Sequence, residues 1–412
     1  MLIYILNFIS VVLAIYGMYY VVTSVTAFKR LGKNTICEYT PKNKFKILVA
    51  CRNEQAVIAN LIESINALNY PKNMYELCII PNNCTDNTRE IALNLGSRII
   101  DCSYDCKCKA DALRCAFKQL ENDEFDAYIV FDADNVVHPK FLTRMNNALE
   151  EGFRVAQGYR DSKNPSDNWI SGSYSIYYWM QNFFFNKARM NVGASASING
   201  TGFMVKKEVI DTYGFNTKTL TEDIEFTAQC ALNNIRIAFV QDAITYDEQP
   251  VSWKASWKQR KRWSVGTHSC LKIYGLKLIR SLFKNRNMLS LDMALNFLSP
   301  LIQVVGTVVI TIMLVFKILI NIEAGALTFL GLIKITSLHL CTITYLINIV
   351  INVFIIKYNK IKISNMILPI LLYSFFIITW IPINIVSIFI KNSNWEQIKH
   401  TRSVRIGEIV KE

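Results

Sequence analysis

Long apolar runs at both ends of the chain constrain its fold more strongly than any other feature. Residues 1–28 are almost uncharged, and further apolar runs occupy residues 293–320, 324–356 and 366–390. At about 1.5 Å per helical residue, each run can cross a hydrocarbon core of about 30 Å. The first run has no small-residue cleavage site, so it predicts a retained transmembrane anchor and not a signal peptide. We therefore expect a multi-pass protein of the plasma membrane.

The basic residues predict which parts of the chain face the cytosol. The net charge is +13, but Lys and Arg cluster beside the apolar runs, as across residues 254–284. This placement is typical of a cytosolic membrane face and argues against nucleic acid as a partner. The basic loop 357–362 is also expected in the cytosol. A third crossing by residues 366–390 would then place the tail outside the cell, unless Pro369 and Pro382 break that run into a re-entrant pair.

Eleven cysteines are scattered through the chain. Cys102, Cys106 and Cys108 form a local cluster, but their spacing matches no usual zinc-binding pair. A reduced population of cytosolic thiols is the favoured interpretation.

Between residues 46 and 159, short apolar runs alternate with segments of helical spacing. The apolar runs predict buried strands at residues 47–50, 77–81, 98–102, 128–131 and 155–159. The intervening segments predict helices at residues 55–68, 87–95, 110–120 and 139–150. Such alternation predicts an open α/β sheet whose ligand lies beyond the carboxyl ends of the strands.

Two aromatic segments follow the predicted sheet. Residues 169–188 are crowded with Trp, Tyr and Phe, and in residues 251–284 Trp253, Trp257 and Trp263 alternate with Lys and Arg. Both compositions predict amphipathic helices that lie on the bilayer surface. For the first segment, a buried helix of the soluble domain is the alternative.

Asp132 and Asp134 directly follow the predicted strand 128–131. Side chains two residues apart on an extended chain point the same way, so both carboxylates can face one ligand. Hard oxygen ligands of this kind suit Mg²⁺ or Mn²⁺ shared with phosphate oxygens. An ordinary acidic turn is the structural alternative.

A second acidic group, Thr221-Glu222-Asp223, precedes a predicted helix. One interpretation is structural, with Thr221 capping the helix and the acids in its first turn. The other makes Asp223 a general base, because an acceptor hydroxyl must lose a proton as it attacks. The two interpretations are compatible, since a helix start holds the carboxylate still.

Two further groups of residues have the chemistry of a binding site. The string QRKRW contains Gln259, Arg262 and Trp263, which suit a pyrophosphate and a sugar ring, although a helix on anionic lipid would look similar. The second group follows the first two strands and opens the next helix, at the positions where a nucleotide would lie across the sheet. Its members are Asn53, Glu54, Asp86 and Lys109, each of which alone is compatible with an ordinary loop.

The ordered set of these groups resembles the inverting family 2 glycosyltransferases of GT-A fold, specifically the processive membrane branch of cellulose, hyaluronan and chitin synthases. The resemblance covers residues 47–268 by motifs and the apolar runs by layout. It implies that the nucleotide is held by Asn53, Glu54, Asn82, Asp86, Lys109, Asp132 and Arg262. It implies a metal site at Asp132 and Asp134, and catalytic acids at Glu222 and Asp223, with Asp223 as the base. It implies an acceptor site at Gly200, Thr201, Gly202, Gln259 and Trp263.

The sequence departs from the family pattern in several places. Asn82 stands where many members carry Asp, although an amide can still hydrogen-bond a base. A gating-loop motif and a regulatory nucleotide-binding domain are not visible. Trp395, Thr401 and Arg402 resemble an element that covers the active site in some synthases, which would require a cytosolic tail.

The resemblance implies an N-terminal anchor at 1–28, a cytosolic α/β GT-A domain at 44–250, interfacial helices at 251–287, a transmembrane region at 288–390 and a tail at 391–412. It further implies processive transfer from a UDP-sugar, with UDP-glucose favoured, to a growing β-linked polysaccharide that crosses the lipid bilayer, with Mg²⁺ or Mn²⁺ as cofactor. The alternatives are transfer to a lipid carrier, a polymer that contains amino sugars or uronates, and a transporter regulated by its soluble segment. Candidates to line the product path, or to hydrogen-bond between helices, are Asn296, Gln303, Asn348 and Asn384.

Overall fold

The computed structural model describes residues 2–29, 39–102, 106–323, 338–390, 400 and 402–409. The predicted open α/β sheet is confirmed, and in these described residues it contains eight strands. In chain order the strands are β1 (Phe45–Cys51), β2 (Tyr75–Pro81), β3 (Arg98–Ile99), β4 (Ala127–Asp132), β5 (Val136–Val137), β6 (Val155–Ser162), β7 (Phe203–Lys206) and β8 (Ile237–Asp247).

The strand order is β3-β2-β1-β4-β7-β6-β8-β5. Strands β3, β2, β1 and β4 run parallel, β7 runs antiparallel between β4 and β6, and β8 is parallel to β6. The carboxyl ends of β1, β4, β6 and β8 therefore lie along one edge, where ligands of open α/β sheets bind.

Helices cover both faces of the sheet. Those of the soluble domain are α2 (Ile58–Asn66), α3 (Thr88–Asn94), α4 (Lys109–Gln119), α5 (Phe141–Glu150), α6 (Trp169–Met180), α7 (Ala188–Asn191), α8 (Lys207–Tyr213) and α9 (Glu222–Leu232). The inward side chains of β1 and β4 divide between two buried clusters, one facing α2 and α5 and the other facing α4. Burial on both faces explains why these strands read as continuous apolar runs.

The segment after β3 differs from expectation in two respects. The predicted strand 98–102 ends at Ile99, because the chain then turns towards α4. There Cys102 and Cys115 form a disulfide with 5.9 Å between their Cα atoms, so the expectation of reduced thiols is wrong for this pair. Cys106 and Cys108 lie outside this disulfide, and the described residues contain no group of three or more His, Cys, Asp or Glu that could hold a metal ion.

The aromatic segment 169–188 is buried, as in the alternative interpretation, and does not lie on a surface. It forms α6, a π-helical turn at Gln181–Lys187 and the start of α7. Tyr174 and Trp179 are fully buried, and the Tyr174 ring lies 5.1 Å from the ring of Phe376 in a C-terminal helix. Protein, and not lipid, therefore covers these rings.

The segment that carries QRKRW is one continuous helix, α10 (Trp253–Asn285). Its Arg260 is fully buried, donates to the Phe376 carbonyl at 3.0 Å and to Thr379 Oγ1 at 2.8 Å, and lies 4.4 Å from the Phe376 ring. A cation is favourable at a helix C-terminus, where carbonyl groups lack helical partners. Arg260 thus fixes α10 against the C-terminal helices.

The apolar runs form long helices. They are α1 (Leu2–Val25), α11 (Met288–Glu323), α12 (Leu338–Tyr358), α13 (Ile367–Ile378) and α14 (Trp380–Phe389). Within the described residues, four stretches are long and apolar enough to cross a membrane: Tyr4–Phe28, Met288–Ile320, Cys341–Tyr358 and Ile363–Phe389. Helices α1 and α11 are joined through Asp292, which accepts from the Tyr19 hydroxyl and pairs with the buried Arg189 at 2.9 Å.

The last apolar run begins and ends at the soluble domain. Before it, the Tyr358 hydroxyl accepts from Gln241 at 2.8 Å; after it, His400 pairs with Glu54 and the Arg402 amide donates to Glu248 at 3.1 Å. Both flanks of this run thus contact the soluble domain, which favours the re-entrant alternative over a simple third crossing. Trp395 and Thr401 lie outside the described residues. A short helix, α15 (Ile406–Ile409), ends the described tail.

Candidate active site

A single cavity of about 620 Å³ connects the strand ends with the apolar helices. Eleven of the predicted site residues lie in its wall: Glu54, Asn82, Lys109, Asp132, Asp134, Gly200, Glu222, Asp223, Gln259, Arg262 and Trp263. Residues from β1, β4, α9 and α10 thus face one space. Its volume is within the usual range for small-molecule sites, about 300–1,000 Å³.

The other four predicted residues do not line this cavity. Asn53 and Asp86 join two loops: Asn53 Oδ1 accepts from the Thr85 amide at 2.7 Å, and Asp86 accepts from the amide and hydroxyl of Thr88 and from the Gln55 amide. The backbone of Asn53 has a positive φ of 56°, which Asn tolerates better than most residues. Both residues shape the loops beside the predicted nucleotide position.

Thr201 and Gly202 lie behind the cavity wall and hold it in place. The Thr201 hydroxyl donates to Asn135 and accepts from the Asp132 amide at 3.0 Å, so it holds the end of β4. Gly202 has φ 64°, and a Cβ there would lie 2.8 Å from Thr245 Oγ1. Any other residue would be strained at this positive φ and would press on the Thr245 side chain.

Lys109 joins the nucleotide side of the cavity to the glycine loop. Its Nζ donates to Asp132 Oδ1 at 2.5 Å and to the Gly200 carbonyl at 2.7 Å. Burial lowers the pKa of Lys109, but the negative charges of Asp132 and Glu222 outweigh this effect and raise it overall. Lys109 is therefore a permanent cation beside the predicted phosphate position.

Asp134 is only 3% exposed, and other carboxylates lie near it. Its Oδ2 accepts from the Glu248 amide at 3.1 Å. Burial raises the pKa of the neighbouring Asp247 to about 6; Arg160 opposes that rise and Asp134 adds to it. Asp132 and Asp134 provide two hard carboxylate donors and not a group of three, so a divalent cation fits here if phosphate oxygens supply further ligands.

Glu222 and Asp223 begin α9 and face the cavity. Thr221 makes no side-chain cap, and Asp223 Oδ1 instead accepts from the Ile224 amide at 2.8 Å. Burial raises the pKa of Glu222 to about 7, with the Asp223 charge adding to the effect, and burial also raises that of Asp223. A Cβ on Gly200 would lie 3.3 Å from Asp223 Oδ2, so the carboxylate rests directly on the glycine loop. An acid of raised pKa in a cleft suits general-base chemistry.

Several polar atoms in the cavity wall are buried without a hydrogen-bond partner. They include Asn82 Oδ1 at the nucleotide end, and Gln259 Oε1 and Arg262 Nε on α10. Buried polar atoms are normally satisfied, so these atoms of the cavity wall are available to a ligand. Trp263, one turn from Gln259, stacks on Trp380 with 6.3 Å between ring centroids.

Sequence reasoning missed three residues of the site. Asp247 ends β8 as Asp132 ends β4, so the same strand-end logic would have found it; Arg160 donates to it through Nε at 2.7 Å. His400 of the tail lines the cavity as well. Burial lowers the pKa of His400, but Asp134 and Glu54 outweigh this effect and raise it to about 10.

The membrane side of the cavity is both polar and aromatic. Asn296, Gln303 and Asn384 line it, and the Asn384 amide also donates to Gln303 at 2.8 Å, so lining and helix-to-helix bonding coexist. Pro300 lies between the first two on α11 and has no amide hydrogen, which deprives the Asn296 carbonyl of its usual helical donor. Asn348 does not line the cavity and donates to its own helix, at Thr344.

Several known proteins are similar to this chain in sequence or in fold. A probable glycosyltransferase of Bacillus subtilis is 25% identical over 380 residues, which are 87% of this chain and 83% of that protein. A β-monoglucosyldiacylglycerol synthase of Nostoc is 29% identical over 53% of this chain and 48% of its own length. A poly-β-1,6-N-acetyl-D-glucosamine synthase of Staphylococcus epidermidis is 25% identical over 64% of each chain. The chain thus spans only about half to two thirds of the last two relatives.

A solved mannosyltransferase of Pyrobaculum calidifontis, in complex with GDP-Man and Mn²⁺, has the same fold. Its TM-score is 0.57 at 15% identity, over 91% of this chain and 99% of that one. Residues 41–266, more than half of this chain, match the family model described as glycosyltransferase like family 2. The protein therefore belongs to glycosyltransferase family 2, with a GT-A fold, and is a glycosyltransferase enzyme.

Proposed function

We propose that the protein is an inverting hexosyltransferase that extends a β-linked polysaccharide from a UDP-sugar, with UDP-glucose as the preferred donor, and passes the product through its membrane helices. The product would be a cellulose-like or mixed-linkage β-glucan. The catalytic domain would lie on the cytosolic side of the plasma membrane. The observation that carries this proposal is the single cavity that joins Asp132, Asp223 and the polar face of α11.

The nucleotide half of the cavity would hold the donor. Asn82 Oδ1 is an unpaired acceptor suited to an N–H of the base, while Lys109 and Arg262 supply positive charge for the diphosphate. Asp134 and Asp132 would hold Mg²⁺ or Mn²⁺ together with diphosphate oxygens, and a cation there would supply positive charge for the departing UDP.

The reaction itself would be a single in-line displacement at the anomeric carbon. Asp223 takes the proton of the acceptor hydroxyl as its oxygen forms the new glycosidic bond, and the bond to the UDP oxygen breaks with its electron pair leaving on UDP. This displacement converts an α-linked donor into a β-linked product. Glu222, protonated more readily than an ordinary glutamate, limits the negative charge beside Asp223.

The membrane half of the cavity would receive the product. A saccharide cannot enter hydrocarbon with unsatisfied hydroxyls, so its path needs polar and aromatic walls. Gln259, Asn296, Gln303 and Asn384 supply the polar groups, and Trp263 and Trp380 supply flat faces.

Transfer to a lipid carrier is a second candidate, because Phe184, Phe185 and Phe297 make part of the same wall apolar. The names of the relatives include both a glucosyldiacylglycerol synthase and a polysaccharide synthase. The name of the polysaccharide synthase makes a polymer of amino sugars a further product to test, and a polymer that contains uronates is tested beside it.

Labelled donors would decide between these candidates. Membranes that contain the protein are incubated separately with labelled UDP-glucose, UDP-N-acetylglucosamine and UDP-glucuronate. A high-molecular-weight product that linkage-specific β-glucanases digest supports the proposal, while label that partitions into a lipid extract supports the second candidate. Membranes with the Asp223→Asn variant serve as the control for endogenous synthases.

A further inference from the structure

One buried amide in the cavity wall has no part in the chemistry described so far. Asn199 is 6% exposed, and its Oδ1 accepts from Gln181 Nε2 at 3.0 Å. Its Nδ2 is buried without a hydrogen-bond partner. An unsatisfied buried donor is unfavourable, and its place in the wall of a ligand cavity suggests that a ligand completes it.

The backbone of Asn199 is held in place on both sides. Its amide donates to Gln157 Oε1 at 2.9 Å, and its carbonyl accepts from Arg160 Nη1 at 2.6 Å. Gln157 is itself fixed by donating to the Thr201 carbonyl at 2.9 Å. The free N–H group is therefore oriented before any ligand arrives, which lowers the entropic cost of binding.

Asn199 lies between the proposed base and the membrane half of the cavity. It directly precedes Gly200, on which Asp223 Oδ2 rests. Its partner Gln181 opens the π-helical turn that also carries Phe184 and Phe185 of the membrane half. Single π-helical turns occur frequently at functional sites.

We propose that Asn199 Nδ2 donates a hydrogen bond to an oxygen of the acceptor saccharide next to the attacking hydroxyl, and that Gln181 positions the amide. The oxygen is a hydroxyl or an acetamido carbonyl, since an N–H group there would face a second donor. This subsite rests on the proposed polysaccharide acceptor.

Asn186 offers a matched control. It is fully buried, its Oδ1 accepts from the Ser197 amide at 3.1 Å, and its Nδ2 has no partner, but it does not line the cavity. The variants Asn199→Leu and Asn186→Leu therefore lose similar internal bonds, and only the first faces the ligand space.

The test measures UDP release by the purified full-length protein from UDP-glucose, with cellotetraose or chitotetraose as acceptor in separate arms. We expect Asn199→Leu to raise the acceptor KM about tenfold and to leave the donor KM unchanged, and Asn186→Leu to change neither. An unchanged acceptor KM in Asn199→Leu overturns the subsite, and so does a rise confined to the donor KM. Equal rises in both variants also overturn it.

Two milder variants guard against misfolding. Asn199→Asp keeps the acceptor for Gln181 but removes the free donor, and Gln181→Met keeps Asn199 but releases its amide. We expect a raised acceptor KM in both, with the smaller rise in Gln181→Met because the donor is still present; an unchanged value in Asn199→Asp contradicts the proposal.

Calorimetric titration of the UDP-loaded wild type with each oligosaccharide separates failure of the subsite from failure of the proposed function. A wild type that neither binds nor extends them overturns the polysaccharide acceptor and this subsite together, whereas an active wild type with unaffected variants overturns the subsite alone.

Discussion

The Nδ1 atom of His400 lies 3.0 Å from a carboxylate oxygen of Glu54, although 346 residues separate them in the sequence. Glu54 follows the first strand and His400 follows the last apolar helix. The pair brings the C-terminal tail to the nucleotide end of the cavity. Next to it, Arg402 pairs with Asp167 at 3.2 Å, and Ser403 accepts from Asn60 at 2.9 Å. The tail is thus part of the wall around the proposed donor.

Replacing His400 by Ala is expected to raise the KM for the nucleotide sugar about tenfold, because a hydrogen bond between charged groups is lost and the tail is released. Initial rates at varied UDP-sugar concentration measure the effect. Arg405→Ala is the control, since its contact with Glu63 is 3.7 Å long and exposed. A lowered KM in His400→Ala would show that the tail excludes the donor.

Replacing Asp223 by Asn is expected to preserve UDP binding and to reduce transfer at least about 100-fold, because the amide cannot accept the acceptor proton. Calorimetry with UDP and an assay of product formation separate the two effects. Asp211→Asn removes an exposed carboxylate paired with Lys207 and is expected to be fully active. Normal turnover in Asp223→Asn would exclude Asp223 as the base.

The dependence of rate on pH follows from the burial of the acidic pair. Burial raises the pKa of Asp223 and brings that of Glu222 to about 7. The base acts only when ionised, so kcat/KM is expected to rise with pH and to level off at a higher pH than an exposed Asp would give. In Glu222→Gln the inflexion is expected to remain, because burial and not the charge of Glu222 raises the pKa of Asp223. A profile that is flat down to the usual Asp range would contradict this assignment.

Replacing the two nearby arginines of α10 is expected to affect different properties, stability for Arg260 and donor binding for Arg262. Arg260→Ala removes buried bonds to Phe376 and Thr379, and we expect a loss of about 3 kcal/mol of stability, measured as a lower Tm. Arg262→Ala removes a side chain of the cavity wall and is expected to raise the KM for the UDP-sugar with an unchanged Tm. A lower Tm in Arg262→Ala together with a raised KM in Arg260→Ala would contradict the proposed roles.

Removal of divalent cations by EDTA is expected to abolish transfer, and Mn²⁺ or Mg²⁺ is expected to restore it. Asp134→Asn is expected to raise the concentration of cation needed for half-maximal rate. Asp242→Asn, at an exposed position of β8, is the matched control and is expected to behave as the wild type. Full activity in EDTA would remove the cation from the proposal.

The sequence predicted most of the sheet and the residues at its strand ends. Apolar runs such as residues 128–131 can only be buried between two layers, and a polar residue that follows such a run must lie at the sheet edge. Asp132 and Glu54 were found by this logic, whereas Asn82 was found only through the family resemblance. Asn53 and Asp86 satisfied the same pattern but face neighbouring loops, because a pattern gives the position of a residue and not the direction of its side chain.

Other features depended on contacts between distant segments. The pairing of His400 with Glu54 and that of Arg160 with Asp247 leave no periodic signal in the sequence. Aromatic composition suits a membrane interface and a protein core equally well, so it could not decide where Tyr174 and Trp179 lie. The path of the last apolar run was undecided for the same reason, since length and hydropathy do not record where its flanks are attached.

The ammonium group of Lys109 touches Asp132 and Gly200 at the same time, although 91 residues separate Lys109 from Gly200. A diphosphate that draws this cation towards itself must loosen the glycine loop on which the saccharide end would rest. Occupation of one half of the cavity is then expected to change the shape of the other half. Substrate addition is accordingly expected to be compulsory in order, with the nucleotide sugar entering before the chain to be lengthened.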